Sequence, residues 1–585
     1  PSRGLGDVYK RQRVGIALAK SFAYTPGEKV EVQFRFNRLS MRRFHQGLSH
    51  VGNLVASILF PAQEHLATSP EPRLVDGNSR PFNRTLNHEQ RQAVAAIVRA
   101  PARNVPYVLF GPPGTGKTTT LVEAILQCAR FLQPTTLAGV SNASRDIKRF
   151  HILVCAPTNA AANLICCRLA EVLAPRTELM RVVAKSQSLK QLPEVLRDPQ
   201  RRFTNWDPEE DSFTMHLDDL IRPIVLVATM ATAAGLINEG VERGHFDLIV
   251  LDESGQAIEP EAVAPVACLL GDKGQLVLAG DPKQLGPIIH HDLAAQHGLA
   301  KSFMERLMDR PLYARLDRGD GRCEYNTDII TKLIRNYRSH PQLLEVPNRL
   351  FYDDELLSLA DRALISSCLK WEELPVHGVP LLWHGVVGRD TREEKSPSWF
   401  NPDEIFLVVH YVSSLLQMRP QLKASDIGII SPYSKQVQKI QLALQHKRLG
   451  NDIKVGSVEK FQGDEHRVII ISTVRSSSEW TAFDRSHNLG FLDNPKRFNV
   501  ATTRARALMI IVGNPNVLQL DPCWNELLRT CITKGVYLGP PIEQPDAEND
   551  DAEFVQEILA EEEELDGSSA QHRLHQELMQ MPRGE

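Results

Sequence analysis

Residues 107–118 of this chain are YVLFGPPGTGKT, an apolar run followed at once by a glycine-rich turn. The apolar run predicts a buried strand, and the pattern of residues 118–128 predicts a helix. In such a loop, backbone N–H groups can turn inward around a triphosphate, and the helix N-terminus adds a favourable dipole. The G-x-x-x-x-G-K-T pattern in this context predicts a nucleoside-triphosphate site lined by Gly111, Pro112, Pro113, Gly114, Thr115, Gly116, Lys117, Thr118 and Thr119.

Side chains in and near this loop have the chemistry that phosphoryl transfer needs. Lys117 is expected to reach the β- and γ-phosphates, and Thr118 to place its hydroxyl on Mg²⁺. Asp252 and Glu253 follow an apolar strand pattern, and the carboxyl ends of neighbouring parallel strands meet at one edge of a sheet. We therefore expect Asp252 to hold Mg²⁺ through water, and Glu253 to orient or deprotonate the attacking water.

A third junction of strand and loop lies at residues 276–287, where an apolar run is followed by GDPKQLGP. A position at the same sheet edge would place Gln284 beside the γ-phosphate. A plain turn rich in glycine and proline explains the segment equally well, and the segment alone does not decide between the two.

The length and composition are those of a multidomain globular protein. At 585 residues, three or four domains are expected, and 42% hydrophobic with 24% charged residues is ordinary. No stretch reaches eighteen consecutive apolar residues, so the sequence does not indicate a membrane span. The nine cysteines contain no C-x-x-C pair, which favours free thiols in a reducing compartment over a metal site.

The net charge of −4 is distributed unevenly. From residue 540 onward, fourteen Asp and Glu face two Arg, a net of −12 that leaves +8 for residues 1–539. The acidic tail predicts disorder, and a solubilising role is favoured over one as an electrostatic decoy or a partner-binding segment. The mildly basic body is compatible with a nucleic-acid groove but does not show one.

Alternating strand and helix patterns predict an α/β protein with two tandem parallel-sheet domains. Residues 1–12 lack apolar periodicity and are interpreted as foreign or disordered. Residues 13–80 are expected to form a small β-rich module with a strand at 29–36, followed by a linker. The other predicted segments are a first sheet domain at 81–318 with a strandless helical insertion at about 177–222, a second sheet domain at 319–539 and the acidic tail at 540–585.

Several motifs, in order along the chain, resemble those of superfamily-one helicases of the Upf-like branch. APTN at 156–159 resembles motif Ia, which touches the nucleic-acid backbone, and DESGQ at 252–256 resembles motif II. The segment 280–287 resembles motif III. The resemblance covers residues 86–515 and implies two tandem RecA-like domains that use ATP and Mg²⁺.

Nucleotide contacts outside the phosphate loop are implied by the same resemblance. In LNHEQ, similar to the adenine-reading glutamine motif, Gln90 would contact the base. In NYRSHP, similar to motif IV, Tyr337 would stack on adenine and Arg338 would reach the γ-phosphate. Glu465 ends a stretch similar to motif V, and Arg504 would be a second arginine finger in motif VI.

The resemblance implies one set of catalytic residues and one set of residues that contact nucleic acid. Arginines from the second domain can complete a hydrolysis site only when the domains close, which would couple ATPase chemistry to motion. The expected catalytic residues are Lys117, Asp252, Glu253, Gln284, Arg338 and Arg504. Contacts with the nucleic-acid backbone are expected from Thr158, Asn159, Thr229, Ser434 and Ser457. For each hydroxyl alone, a helix cap or a turn is the favoured explanation.

A narrower resemblance is to the Mov-ten/Armitage type of RNA helicase. It rests on DESGQAIEPE at 252–261, VQFRFNR at 32–38 and FGPPGTGKTTTLVE at 110–123; Ser254 stands where the family more usually has Ala. The resemblance implies a small β-barrel before the core and a helical insertion. It also implies 5′→3′ movement on single-stranded RNA in cytoplasmic ribonucleoprotein particles or granules, in RNA silencing or turnover, with silencing-complex proteins as partners.

Three other functions are considered beside this one. A DNA helicase of the same superfamily would use the same motifs, since the discriminating ribose 2′-OH contacts are not identified by any of them. An ATP-gated RNA clamp would grip RNA without useful unwinding, and ATPase activity without unwinding of a tailed duplex would favour it. A signalling or transport ATPase leaves the two arginine motifs unexplained.

Overall fold

Two parallel β-sheets organise the chain, one in each half. The computed structural model describes residues 38–52, 57–73, 80–133, 149–198, 202–289, 291–317, 323–393, 396, 398–418, 422–450, 452–476 and 490–542. The predicted disordered or foreign start at 1–12 and the acidic tail beyond residue 542 lie outside this part of the chain. The α/β class with two tandem parallel-sheet domains is confirmed, but the predicted boundary after residue 318 is too early, because residues 330–332 form a strand of the first sheet.

The first sheet consists of β1 (Tyr107–Phe110), β2 (Ile152–Ala156), β3 (Leu179–Arg181), β4 (Val225–Thr229), β5 (Phe246–Leu251), β6 (Leu270–Gly280) and β7 (Ile330–Lys332). Their order is β7-β1-β6-β5-β2-β4-β3, and every neighbouring pair is parallel. Alternate residues of β1 enter different hydrophobic clusters: Tyr107 and Leu109 one, Val108 and Phe110 the other. Both faces are therefore covered, which explains why β1 and β2 are apolar along their whole length.

The second sheet consists of β8 (Leu381–Gly385), β9 (Ile427–Ile430), β10 (Lys454–Gly456), β11 (His466–Ser472), β12 (Ala505–Gly513) and β13 (Tyr537–Leu538). Their order is β10-β9-β11-β12-β8-β13, again with parallel neighbours. The isoleucine-rich runs in β9 and β11 are fully buried. Carboxyl ends of parallel strands meet at one edge, which is where loops in such sheets carry functional groups.

Helices connect the strands of both sheets. The longer ones are α1 (Leu39–Ser49), α2 (His88–Arg99), α3 (Lys117–Phe131), α4 (Asn159–Leu169), α5 (Glu259–Leu269), α6 (Pro341–Phe351), α7 (Pro402–Met418), α8 (Ser434–His446), α9 (Pro495–Thr502) and α10 (Pro522–Thr533). Shorter helical segments are Gln63–Ala67, Glu194–Arg197, Leu217–Ile221, Met230–Ala233, Asp292–Ala294, Phe303–Met308, Arg362–Ile365 and Pro515–Leu518. None of the helices in the described ranges has the length and apolar character that a membrane crossing needs.

The described residues that precede the first sheet are helical, not β-rich. Helix α1 packs against α5, with Phe44 buried beside Ala264, and the Arg43 guanidinium donates to the carbonyl of Ala231 at 2.9 Å. Phe44 and Gly47 are three residues apart and therefore share one face of the helix. The strand predicted at 29–36 lies outside the described residues, so the barrel-like module stays a prediction.

A substitution at Gly47 tests how α1 docks. A Cβ at Gly47 would lie 2.5 Å from Cα and Cβ of Ala264, so Gly47→Ala would push the two helices apart. We expect Gly47→Ala to destabilise the fold by about 1–3 kcal/mol, measured as a lower midpoint of thermal unfolding. Gly52→Ala is the matched control because a Cβ there meets nothing within 4 Å. An unchanged midpoint for both variants would contradict this docking.

The expectation of a strandless helical insertion at 177–222 is wrong. This segment contains β3, the edge strand of the first sheet, and a hairpin formed by Trp206–Asp207 and Ser212–Phe213. Its described helical pieces are short. Leu179 and Met180 are the apolar residues of this strand, and Arg181, its last residue, interrupts the apolar pattern and conceals the strand in the sequence. Arg181 is buried because its guanidinium bonds with Asn159 and Asn163.

Candidate active site

The phosphate loop connects β1 to α3. Gly114 and Gly116 have φ values of 68° and 82°, a left-handed conformation that favours glycine. The hydroxyl of Thr115 donates to the carbonyl of Pro112 at 2.7 Å and holds the turn. Gly116 is the N-cap of α3 and supplies no capping side chain, so the first N–H groups of the helix can bind an anion.

Gln90 lies against the back of the phosphate loop. Its amide nitrogen donates to the carbonyl of Thr115 at 3.0 Å, and its oxygen accepts from the backbone N–H of Asn87 at 3.1 Å. Asn87 also donates to the Tyr337 hydroxyl at 2.9 Å. These bonds give Gln90 a role in bracing the loop, whereas its contact with adenine stays a prediction.

The two acidic residues after β5 lie beside the loop lysine. Lys117 Nζ is 2.5 Å from Glu253 Oε1 and 3.8 Å from Asp252 Oδ1. Burial works to lower the pKa of Lys117, but the charges of Glu253 and Asp252 outweigh it and raise that pKa. Burial raises the pKa of Asp252, whereas Lys117 outweighs burial at Glu253 and lowers its pKa. Lys117 therefore holds Glu253 ionised.

Gln284 bridges a carboxylate and an arginine. Its amide nitrogen donates to Asp281 Oδ2 at 2.7 Å, and its oxygen accepts from Arg504 Nη2 at 3.0 Å. Arg504 is almost completely buried and also donates from Nε to the carbonyl of Val500 at 3.0 Å. Burial, together with the charge of Arg338, lowers the pKa of Arg504 to about 9. The hydrogen bond from Arg504 to Gln284 links the two sheet domains directly.

Arg338 is held by a carboxylate from the second sheet domain. Its Nε lies 2.7 Å from Glu465 Oε2, and its Nη1 donates to the carbonyl of Thr503 at 3.1 Å. Glu465 Oε1 lies 3.3 Å from Arg506 Nη1. Burial works to raise the pKa of Glu465, but the charges of Arg338 and Arg506 outweigh it and lower that pKa. Glu465 therefore orients two arginines.

The predicted catalytic side chains line one cleft of about 840 Å³. Both halves of the chain contribute to it, and the phosphate loop from Gly111 to Thr119 and Tyr337 lie in the same lining. Gln90 is outside the lining. The six predicted catalytic residues that meet here are Lys117, Asp252, Glu253, Gln284, Arg338 and Arg504.

Family comparisons agree with this geometry. Models described as AAA domain match residues 85–217 with 222–292, and residues 299–516. "Putative helicase MOV-10" of Gallus gallus is 45% identical over 93% of this chain and 56% of that protein. The chain belongs to the Mov-ten/Armitage family of helicases. "RNA helicase Mov10l1" of Homo sapiens is 41% identical and "Probable RNA helicase armi" of Drosophila melanogaster 35% identical, each over 88% of this chain and 45% of the relative.

The chain spans about half the length of these curated relatives of the Mov-ten/Armitage family. The resemblance stated from the motifs is confirmed. Helicase domains of this family imply the use of a nucleotide. The donor set fits Mg²⁺ as well, since Thr118 and Asp252 both line the cleft and this ion usually takes one or two carboxylates with substrate phosphates.

The residues predicted to contact nucleic acid have local structural partners. The hydroxyls of Thr158 and Thr229 cap the helical segments that follow them, by accepting from the N–H groups of Ala161 and Thr232. The other predicted residues are Asn159, which accepts from Arg181; Ser434, which donates to Ser398; and Ser457, the N-cap residue of a 3₁₀ turn. The capping explanation thus applies to both threonines, and contact with a strand stays a prediction for all five.

Two further residues of the site lie inside motifs but were not singled out. Asn336 donates to the carbonyl of Pro113 at 2.7 Å and accepts from the backbone N–H of Arg338, so it ties the arginine to the loop. Arg506 pairs with Glu465. Both are polar residues within two positions of Arg338 or Arg504, and this proximity to predicted catalytic residues could have identified them from the sequence.

Proposed function

We propose that this chain is the motor core of an ATP-dependent RNA helicase or translocase that moves 5′→3′ on single-stranded RNA. The convergence of six predicted catalytic residues from two sheet domains on one cleft carries the proposal. The Arg504–Gln284 bond across that cleft supports coupling between hydrolysis and domain closure. The proposed activity remodels RNA or ribonucleoproteins in cytoplasmic silencing or turnover.

The residues of the cleft divide the work of hydrolysis. The loop N–H groups and Lys117 would bind the triphosphate, and Thr118 and Asp252 would hold Mg²⁺, which would neutralise developing charge. Glu253, which Lys117 keeps ionised, orients the attacking water and accepts its proton. Arg338 and Arg504 stabilise the charge of the transition state, Arg504 from the second sheet domain.

RNA is proposed as the polymer because two relatives carry RNA helicase in their names. The net charge of +8 on residues 1–539 suits a polyanion of either kind. Phosphate contacts from hydroxyls and backbone would give grip without sequence preference. Proteins of ribonucleoprotein or silencing complexes are the proposed protein partners.

The ATPase rate tests the proposal. We expect single-stranded RNA to raise the rate of ATP hydrolysis more than single-stranded DNA of matched length, at one stated salt concentration, because the polymer completes domain closure. Lys117→Ala is the control that measures contaminating ATPase, since it lacks the phosphate-binding ammonium.

The outcomes separate the alternatives. Equal stimulation by both polymers would return the DNA helicase to contention and leave the polymer open. Stimulation by RNA without separation of a duplex that has a single-stranded 5′ overhang would favour the RNA clamp. Unwinding in the presence of ATP, absent with Lys117→Ala, is the result expected from a helicase.

A further inference from the structure

A chain of hydrogen bonds connects the loop after β6 to helix α9 of the second sheet domain. Asp281 Oδ2, which accepts from Gln284, also accepts from the Tyr352 hydroxyl at 2.8 Å. The Tyr352 oxygen accepts in turn from Asn499 Nδ2 at 2.7 Å. Tyr352 follows α6 directly, and Asn499 lies in α9, which ends two residues before Arg504.

The direction of each bond follows from its neighbours. Asn499 Nδ2 also donates to the carbonyl of Lys283 at 2.8 Å, and a carbonyl only accepts, so the amide nitrogen faces Tyr352. The Tyr352 oxygen must then accept, and its one hydrogen goes to Asp281. Since Asp281 accepts, Gln284 presents its nitrogen to this carboxylate and its oxygen to Arg504.

The network is enclosed. Tyr352 and Asn499 are 0% exposed and Asp281 is 4% exposed. The Tyr352 ring lies 6.4 Å from that of Phe110, the last residue of β1 before the phosphate loop. In such surroundings an unpaired polar group is costly, so each partner constrains the next. Tyr352 thus contacts the strand below the phosphate loop, the Gln284 loop and α9.

We propose that Tyr352 is a positioning residue for ATP hydrolysis, which fixes the orientation of Gln284 through Asp281 and ties α9 to that orientation through Asn499. The inference rests on the proposed function and extends it. Tyr352 lies outside the cleft lining and acts on hydrolysis through Gln284, whose oxygen accepts from Arg504. Its loss should therefore slow hydrolysis and leave nucleotide binding intact.

Tyr352→Phe tests the proposal because it removes the hydroxyl and keeps the ring. We expect kcat for ATP to fall about tenfold, with KM and the Kd for ATP changed less than about twofold. Tyr313→Phe is the matched control: Tyr313 is 1% exposed and its hydroxyl donates to the carbonyl of Pro106 at 2.7 Å, outside the cleft lining. This control should keep kcat within about twofold while losing a comparable buried bond.

A double variant provides a readout that a general loss of stability would not move. If Tyr352 acts through Gln284, adding Tyr352→Phe to Gln284→Ala should lower kcat no further. Fully additive losses, a normal kcat for Tyr352→Phe, or an equal loss in Tyr313→Phe would overturn the proposal. Each variant is compared with the unmodified chain by its rate of ATP hydrolysis without RNA. If RNA fails to stimulate hydrolysis, that result counts against the proposed function, and the effect of Tyr352→Phe can still be measured.

Discussion

Glu253→Gln is expected to slow ATP hydrolysis about 10²- to 10⁴-fold, the range typical for loss of a general base, while ATP binding is kept. Glutamine fills the same space and its oxygen can still accept from Lys117, but it cannot take a proton from water. One negative charge fewer beside a triphosphate also favours the bound nucleotide. Single-turnover hydrolysis and titration with a fluorescent ATP analogue measure the two effects separately.

Glu261 offers a matched control for this prediction. It lies on α5, outside the cleft lining, and burial raises its pKa to about 7. A glutamine there resembles the protonated side chain, so Glu261→Gln should keep turnover within about twofold. Near-normal turnover in Glu253→Gln, or the same loss in both variants, would remove Glu253 from its proposed role.

The inner strands of both sheets could be predicted because they are buried on both faces, whereas the edge strands β3, β7, β10 and β13 were not predicted. Continuous apolar runs such as 107–110 and 427–430 need no tertiary information, and the structure has strands with those bounds. The edge strand β3 was not predicted because it has only three residues and one of them is Arg181. Arg181 is tolerated only because Asn159 and Asn163, on α4, satisfy its guanidinium. These hydrogen bonds come from a separate helix, so the sequence around Arg181 contains no pattern that would predict them.

The candidate site could be predicted to the extent that its chemistry is local. The phosphate loop, Asp252 and Glu253 each follow a strand, and parallel topology brings such junctions to one edge. Bonds between distant segments, such as Asn336 with Pro113 or Tyr352 with Asp281, depend on how two domains pack. The same is true of Gln90, because nothing near it in the sequence indicates that its amide donates a hydrogen bond to the carbonyl of Thr115.

Arg504→Lys is expected to lower kcat for ATP by about 10³- to 10⁵-fold if its guanidinium is an arginine finger, with little change in ATP affinity. Lysine keeps the charge but loses the planar set of donors that serves Gln284 and Val500 together. The buried position makes Arg504→Ala the harsher change, since it would leave those acceptors and a cavity behind. Turnover and equilibrium ATP binding, measured on the same preparation, decide the result.

Arg181→Lys separates this catalytic loss from the cost of replacing any buried arginine. Arg181 is 0% and Arg504 is 1% exposed, and both donate to several protein acceptors, but Arg181 lies outside the cleft lining. If burial alone mattered, the two lysine variants would lose stability and turnover alike. A loss of turnover in Arg504→Lys but not in Arg181→Lys would instead show that the Arg504 guanidinium acts in the transition state. Equal falls in turnover and affinity for Arg504→Lys would contradict the finger assignment, because a group that acts only in the transition state leaves ground-state binding unchanged.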